Sequence, residues 1–250
     1  AKTEIHSVRN GVGKLTKPSD ESYDEIWKAG QDFINSTRLK ERKLTELIEV
    51  YSARPFKIKD GFVDFWLPTF LLAKSHEFAL YESQVYVPEI NTDILELITK
   101  RPSLFTIKAF DVVGVKFELF NKYRQFLNQG ADKKITNQSF IDTIKPFLVF
   151  YRDLPEFSKK TQRWLSSPAQ SIRAVISNAK DPEKTFFEEF PLALGFNTQD
   201  FSDNPKQIAE FINQLKASIK ELQGCHDKLT DHFENYFISE LLGIESSFPD

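Results

Sequence analysis

Residues 54–110 read RPFKIKDGFVDFWLPTFLLAKSHEFALYESQVYVPEINTDILELITKRPSLFTIKAF, and the order of elements in this stretch decides the fold. The apolar run Phe62–Ala73 predicts a helix, which Pro68 is expected to kink or to begin. Two short runs of strand-forming residues follow, Phe78–Glu82 and Val85–Ile90. Because only two residues separate these runs, they predict a β-hairpin, which we interpret as a wing.

A further helix and a third strand complete this unit. Asn91 or Thr92 is a suitable N-cap for a helix over Asp93–Thr99. This helix must stop before Pro102, because the residue before a proline avoids the helical conformation. Leu104–Phe110 then alternates between apolar and polar residues as a strand does. The order of helix, hairpin, helix and strand predicts a winged-helix unit.

The chain before residue 54 predicts a loop and two helices. Residues 1–18 are polar, and we predict a loop there. Ser19 is a suitable N-cap for a helix over Tyr23–Thr37, whose apolar residues recur at helical spacing. A second helix follows, with its apolar residues between Leu44 and Tyr51.

From Val115 onwards the sequence pattern is helical. One helix ends near Gly130, and the polar residues 131–138 predict a linker. We therefore predict two domains, a helical plus winged-helix-like domain over residues 1–115 and a helical domain over residues 116–250. The predicted fold class is mainly α with a small β component, in which a winged-helix-like N-terminal part is followed by an α-helical C-terminal part.

Three helices of the second domain begin with a polar cap that is followed by proline, a frequent arrangement at helix starts. The pairs are Ser167-Pro168, Asp181-Pro182 and Asn204-Pro205. The segment 181–196, DPEKTFFEEFPLALGF, predicts a short helix whose phenylalanine side chains fill the core.

The segment Pro205–Leu242 carries apolar residues in a heptad pattern. We predict one long helix, in which Gly224 is a weak point. The two series of the pattern are Ile208, Leu215, Leu222, Leu229 and Tyr236, and Ile212, Ile219, His226 and Phe233. This seam packs either on the chain's own helices, which we favour, or on a protein partner. The candidate interface residues of the seam are Leu215, Leu222, His226 and Leu229.

Three basic residues, Arg54, Lys57 and Lys59, precede the helix that leads into the predicted wing. They are candidate contacts to DNA phosphates, and phosphate contacts carry no sequence information by themselves. A recognition helix is polar and basic on its exposed face, whereas this helix is apolar on nearly every side and is expected to be buried. We therefore favour a winged helix that packs against protein over one that reads DNA.

The grouping with the most metal-ligating and nucleophilic residues is Cys225, His226, Asp227, Asp231 and His232. Cys225 and His232 are two helical turns apart, about 10.5 Å of rise, so they cannot act as a pair on a straight helix. No second pair of ligands with zinc spacing occurs in the sequence. We predict no catalytic residue, no metal and no cofactor, and we expect His226 to be a core or interface histidine.

Composition limits the classes of function. The chain has 250 residues, 40% of them hydrophobic and 24 of them phenylalanine, which excludes global disorder. The net charge of −3 excludes a strong overall attraction to nucleic acid or anionic membrane. No apolar run approaches the roughly 18 residues of a membrane span. The polar N-terminus and the single Cys225 predict a cytoplasmic protein, and the absence of Met suggests a piece of a longer one.

Several segments together resemble a known family. They read PFKIKDGFVDFWLPTFLLA, FALYESQVYVPEI, LITKRPSLFTI, LPEFSKKTQRWLS and AVISNAKDPEKTFFEEFPLALGF, and they span residues 54–196. They are similar to the region that follows the ATPase core in large bacterial P-loop ATPases of defence and DNA-handling systems, of the BREX ATPase kind. The resemblance implies a non-catalytic region that couples an ATPase to DNA or to partner subunits. No Walker motif is present, so ATP hydrolysis is not implied.

The sequence thus leads to three hypotheses. The first is a non-catalytic scaffolding or interaction region of a larger bacterial ATPase-type protein, bound to a protein partner or to the remainder of a larger chain. The alternative is a winged-helix module that contacts the phosphates of double-stranded DNA through Arg54, Lys57 and Lys59, together with residues of the wing. The third is an enzyme that uses the grouping around Cys225.

Overall fold

The computed structural model describes residues 4–9, 12–204 and 206–242. The chain divides into two compact units, the first within Ala1–Val112 and Lys133–Ile141 and the second within Val113–Asp132 and Asp142–Asp250. Helices dominate both units, and the first also contains a two-stranded and a four-stranded antiparallel sheet. The predicted fold class, mainly α with a small β component, is confirmed.

The first unit begins with a two-stranded hairpin. Strand β1 (His6–Arg9) pairs antiparallel with β2 (Val12–Leu15). The backbone N–H of Thr16 donates to the carbonyl of Ile5 at 2.9 Å and extends the pairing. The prediction of a loop over residues 1–18 is therefore wrong. A signal was present, because Asn10-Gly11 is a strong hairpin dipeptide, but the flanking residues lack the apolar alternation of a strand.

The remaining elements of the first unit have the order of a winged helix. They are α1 (Asp24–Ser36), β3 (Arg42–Lys43), α2 (Leu44–Ser52), α3 (Asp60–Lys74), β4 (Phe78–Glu82), β5 (Val85–Val87), α4 (Thr92–Lys100) and β6 (Phe105–Ala109). The sheet order is β3-β6-β4-β5, and every pair is antiparallel. Three helices precede β4, and the last strand, β6, lies between β3 and β4 in the sheet. The predicted winged-helix-like N-terminal part is therefore confirmed.

The hairpin predicted inside this unit is present. Ser83 and Gln84 connect β4 to β5 with φ angles of 48° and 71°, as in the tight turns that match the twist of paired strands. Strand β6 pairs with the other side of β4, so β5 lies at the sheet edge. The wing is accordingly the whole insertion of β5 and α4 between β4 and β6. Asn91 caps α4 as predicted, because its Oδ1 accepts a hydrogen bond from Ile94 N at 3.0 Å.

The core of the first unit lies between its helices and its sheet. In β6 the residues Phe105, Ile107 and Ala109 are buried and alternate with half-buried ones, which is the period of a strand with one covered face. Thr37, at the end of α1, ties that helix to β6. Its hydroxyl donates to the carbonyl of Ile34 at 2.7 Å and accepts from the N–H of Ala109 at 2.7 Å.

The second unit is helical. It contains α5 (Val115–Phe126), most of α6 (Asn137–Asp153), α7 (Glu156–Lys160), α8 (Ser167–Asn178), α9 (Pro182–Lys184), α10 (Phe190–Ala193), α11 (Thr198–Asp203), α12 (Lys206–Gln223) and α13 (Cys225–Asn235), with π-helical turns at Thr185–Glu189 and Tyr236–Leu241. Tyr123 lies at the centre of its core. The ring contacts Phe186, Phe190 and Phe211, and the hydroxyl donates to the carbonyl of Phe186 at 2.8 Å. The predicted burial is confirmed for Phe186, Phe187 and Phe190 of segment 181–196, while Leu194, also expected in the core, is half-buried.

The long helix predicted at the end of the chain is divided at Gly224, the predicted weak point. Before this break, Ile208, Leu215 and Leu222 are buried within the second unit, as intramolecular packing of the seam requires. After the break at Gly224, the apolar positions of the heptad pattern are no longer all buried. Phe233 in α13 and Tyr236 in the π-helical turn after it are exposed, so the favoured expectation, packing of the seam on the chain's own helices, is wrong at these two positions.

We expect Gly30→Ala to destabilise the first unit. A Cβ atom at position 30 would lie 2.4 Å from the hydroxyl oxygen of Tyr51 and 2.5 Å from Cζ of Phe70, both of them buried. Overpacking of this kind lowers the free energy of unfolding by about 1–3 kcal/mol, which urea denaturation measures. Gly61→Ala, also in a helix, is the control, because nothing lies within 4 Å of its Cβ position. Equal effects of the two substitutions would contradict the close packing at Gly30.

Candidate interaction surface

Helix α3 is held in the first unit by an aromatic cluster. Trp66, which is buried, stacks with Tyr23 at a centroid distance of 5.4 Å and with Phe62 at 5.9 Å. Trp27 from α1 contacts Trp66 edge-on at 6.1 Å and Phe70 at 5.2 Å. Because these rings interlock, the rotation of α3 about its own axis is fixed.

This rotation leaves an apolar edge of α3 exposed. Phe65 is 61% exposed and Phe62 is 38% exposed, and their rings meet edge-on at 6.3 Å. We name Phe62 and Phe65 the aromatic face. The expectation that α3 is buried on all sides is therefore wrong. Residues three apart lie on one side of a helix, so burial of Val63, Trp66 and Phe70 directs the aromatic face outwards.

The three predicted phosphate-contacting residues lie in the connection between α2 and α3. Arg54, Lys57 and Lys59 are exposed, while the intervening Phe56 and Ile58 pack against the core. Within the described ranges, none of the three basic side chains forms a hydrogen bond or an ion pair. The structure thus brings them together on one exposed connection directly before α3.

The wing adds two cations to these residues, Lys100 at the end of α4 and Arg101 directly after it, and Lys100 is paired with Glu96. Residues 75–99, which include β4, β5 and all of α4 except Lys100, contain no lysine or arginine. The exposed tip of the hairpin is formed by the neutral Ser83 and Gln84. Two exposed carboxylates, Asp60 and Asp64, also lie on α3. The carboxylates within residues 75–99 are Glu77, Glu82, Glu89, Asp93 and Glu96.

The four candidate interface residues of the C-terminal seam do not form one surface. Leu215 and Leu222 are fully buried on α12, Leu229 is half-buried, and His226 is exposed at the start of α13. The expectation of a core position for His226 is therefore wrong. The break at Gly224 ends the helix whose pattern predicted that position.

The grouping around Cys225 does not have the geometry of a catalytic or metal site. The Cys225 thiol is buried and lies 3.8 Å from the carbonyl oxygen of Arg163, and burial raises the pKa of this thiol. His232 contacts the ring of Trp164 at 5.4 Å. Across the described ranges, no three His, Cys, Asp or Glu side chains are arranged to hold a metal ion.

None of the helices within residues 4–9, 12–204 and 206–242 has both the length and the apolar character needed to cross a membrane.

We expect Phe65→Ser to leave stability almost unchanged. Phe65 is exposed, so its replacement should change the free energy of unfolding by less than about 0.5 kcal/mol. Trp66→Ala removes the adjacent buried ring and should cost about 3–5 kcal/mol. Thermal and urea denaturation of both variants measure this contrast. A loss of several kcal/mol in Phe65→Ser would show that this side chain serves folding rather than binding.

Comparison of the chain with protein-family models, with curated proteins and with solved structures found no match. The resemblance to the region behind a bacterial ATPase core therefore stays a prediction. The function of the chain has to be argued from the chemistry of its own surfaces.

Proposed function

We propose that this chain is a non-catalytic interaction region of a larger bacterial ATPase-type protein, and that the aromatic face of α3 is its contact surface. The observation that carries the proposal is the 61% exposure of Phe65 beside the partly exposed Phe62. The occupant of this face is an apolar protein surface, from a partner subunit or from the remainder of the larger chain.

The energetics favour a role in binding. Full burial of a phenylalanine side chain contributes about 1.5–3 kcal/mol, and aromatic residues dominate the binding energy of protein interfaces. The ring of Phe62 stacks on Trp66, which is itself fixed in the core. A partner therefore finds a preorganised aromatic surface and loses little conformational entropy on binding it.

The charges around α3 favour protein over nucleic acid. In a DNA-binding winged helix, the helix at the position of α3 presents polar and basic side chains to base edges. Here its exposed residues include Phe62, Phe65 and the carboxylates Asp60 and Asp64. In the wing, the positive charges of Lys100 and Arg101 are offset by the carboxylates Glu89, Asp93 and Glu96. The three cations of the α2–α3 connection therefore gain no net positive charge from the wing for binding a phosphate backbone.

The ATPase context rests on the sequence resemblance. The similar segments cover residues 54–196 and include the whole of α3 with its aromatic face. The region to which they are similar couples an ATPase core to other components. An exposed aromatic face on a packed winged-helix unit is a suitable physical means for such coupling, since it needs no chemistry of its own.

Photocrosslinking in cells that make the protein tests the proposal. The photoreactive residue p-benzoylphenylalanine replaces Phe65 in one variant and Val85 in the other. Val85 is an equally exposed control, also at 61%, and lies on β5. We expect the probe at position 65 to form protein crosslinks whose peptides map to a P-loop ATPase polypeptide, and the probe at position 85 to form few.

Two results would contradict the proposal. Crosslinks from position 65 that are destroyed by nuclease and not by protease would identify nucleic acid as the occupant. Equal crosslinking from positions 65 and 85 would show that the aromatic face has no preferred partner.

A salt titration with a short DNA duplex tests the alternative function. Arg54, Lys57 and Lys59 are the three exposed cations that this alternative assigns to DNA phosphates. If all three bind phosphate, the slope of log K against log salt concentration is no steeper than about −2.7. Under our proposal we expect no duplex binding at physiological salt, in the wild type or in a variant with all three residues changed to Gln. Tight duplex binding that the triple variant abolishes would favour the DNA-binding module.

A further inference from the structure

A polar cavity of about 150 Å³ lies in the first unit, away from the aromatic face. Its walls come from the end of α1, from the residues just before β4, and from the segment 133–141. We name it the Glu77 cavity. Its polar and charged lining residues are Gln31, Asn35, Arg38, His76, Glu77 and Lys134.

Two cations of this lining have no partner among the residues that the structure describes. Arg38 and Lys134 are exposed, and neither side chain forms a hydrogen bond or an ion pair with any residue that the structure describes. A guanidinium and an ammonium group that share one small cavity attract an anion, because both supply charged N–H donors. The ligand must therefore carry a negative charge, which complements these two cations.

The wall also contains hydrogen-bond acceptors. Glu77 accepts from Lys74 Nζ at 3.1 Å and from Gln31 Nε2 at 2.8 Å. Burial opposes ionisation of Glu77, but these hydrogen bonds outweigh it and hold the pKa of the carboxyl below its ordinary value. The Gln31 carboxamide, oriented by its bond to Glu77, has its oxygen buried with no donor among the described residues. The ligand must therefore bring a donor as well as a negative charge.

We infer that the Glu77 cavity binds a phosphate-class oxyanion that retains a proton. Hydrogen phosphate, and a phosphomonoester below its second pKa of about 6, combine negative oxygens for Arg38 and Lys134 with a hydroxyl that donates to the Gln31 oxygen beside Glu77. Sulfate is fully deprotonated at neutral pH and only accepts hydrogen bonds, so the Glu77 carboxylate disfavours it. Because of the Glu77 carboxylate in its wall, the cavity is expected to bind phosphate more tightly than sulfate.

The size of the cavity supports this ligand class. Sites for drug-sized molecules enclose about 300–1,000 Å³, and the Glu77 cavity is well below that range. It is large enough for a single phosphate group. The ligand is accordingly a free phosphate ion or the terminal phosphate of a larger molecule whose remainder stays outside.

Calorimetric titration of the whole chain at about pH 6 and constant ionic strength tests this inference, because a phosphomonoester keeps a proton in part at this pH and sulfate does not. The ligands are inorganic phosphate, phosphoserine and sulfate. We expect millimolar or tighter binding of a phosphate ligand and at least tenfold weaker binding of sulfate. Tighter binding of phosphoserine than of inorganic phosphate identifies a phosphomonoester as the source, and the reverse order identifies the free ion.

Variants of the lining residues test the geometry. Arg38→Gln and Lys134→Gln should each weaken phosphate binding about fivefold, the effect of losing one exposed charge-assisted contact. Glu77→Gln should bring sulfate binding close to phosphate binding. Arg54→Gln is the matched control, because Arg54 is exposed in the same unit and does not line the cavity.

The inference is overturned by any of three results. These are no phosphate binding at millimolar concentration, equal binding of phosphate and sulfate by the wild type, or an equal loss of binding in Arg54→Gln and Arg38→Gln. Since Arg38 and Lys134 are exposed, their variants should fold normally, so this test does not depend on the stability of Glu77→Gln. It is also independent of the partner of the aromatic face.

Discussion

The packing of Trp66 against Trp27, Tyr23 and Phe62 is the interaction on which the first unit depends. Large aromatic side chains bury more apolar surface than any others, and this one joins α3 to α1 and to the residues just before α1. Gly30 is part of the same constraint. It leaves room for Phe70 and Tyr51 to approach α1 more closely than any residue with a Cβ atom would allow.

The exposed properties of α3 follow from this packing. A helix that is apolar on nearly every side has no intrinsic preference for which edge it buries. The aromatic contacts fix the rotation of α3, which determines the edge that is buried and leaves Phe62 and Phe65 exposed. Polar residues at positions 62 and 65 would not weaken the core, so the stability of the fold does not explain why these exposed positions are aromatic.

The sequence predicted those elements that short-range chemistry determines. The β4–β5 hairpin, the Asn91 cap and the aromatic segment 181–196 were all predicted, because local patterns specify each of them. Strand β3 was not predicted, since its two residues become a strand only by pairing with β6, more than sixty positions later. Surface features that depend on long-range contacts are equally hard to predict from local sequence patterns. The exposure of Phe65 and the meeting of Arg38 with Lys134 in one cavity depend on contacts between distant segments.

The aromatic face and the Glu77 cavity share one structural support. Trp27 contacts Trp66, which carries Phe62, and its ring also lies 5.5 Å from Lys74 Nζ, which donates to Glu77. Changes to Trp27 would therefore disturb both surfaces through loss of packing. Phe65 contacts this support only through the ring of Phe62, and Arg38 is exposed, so either side chain can be altered without removing Trp27 or Trp66. Two surfaces of different chemistry, one apolar on α3 and one charged beside β4, thus rest on the same aromatic core.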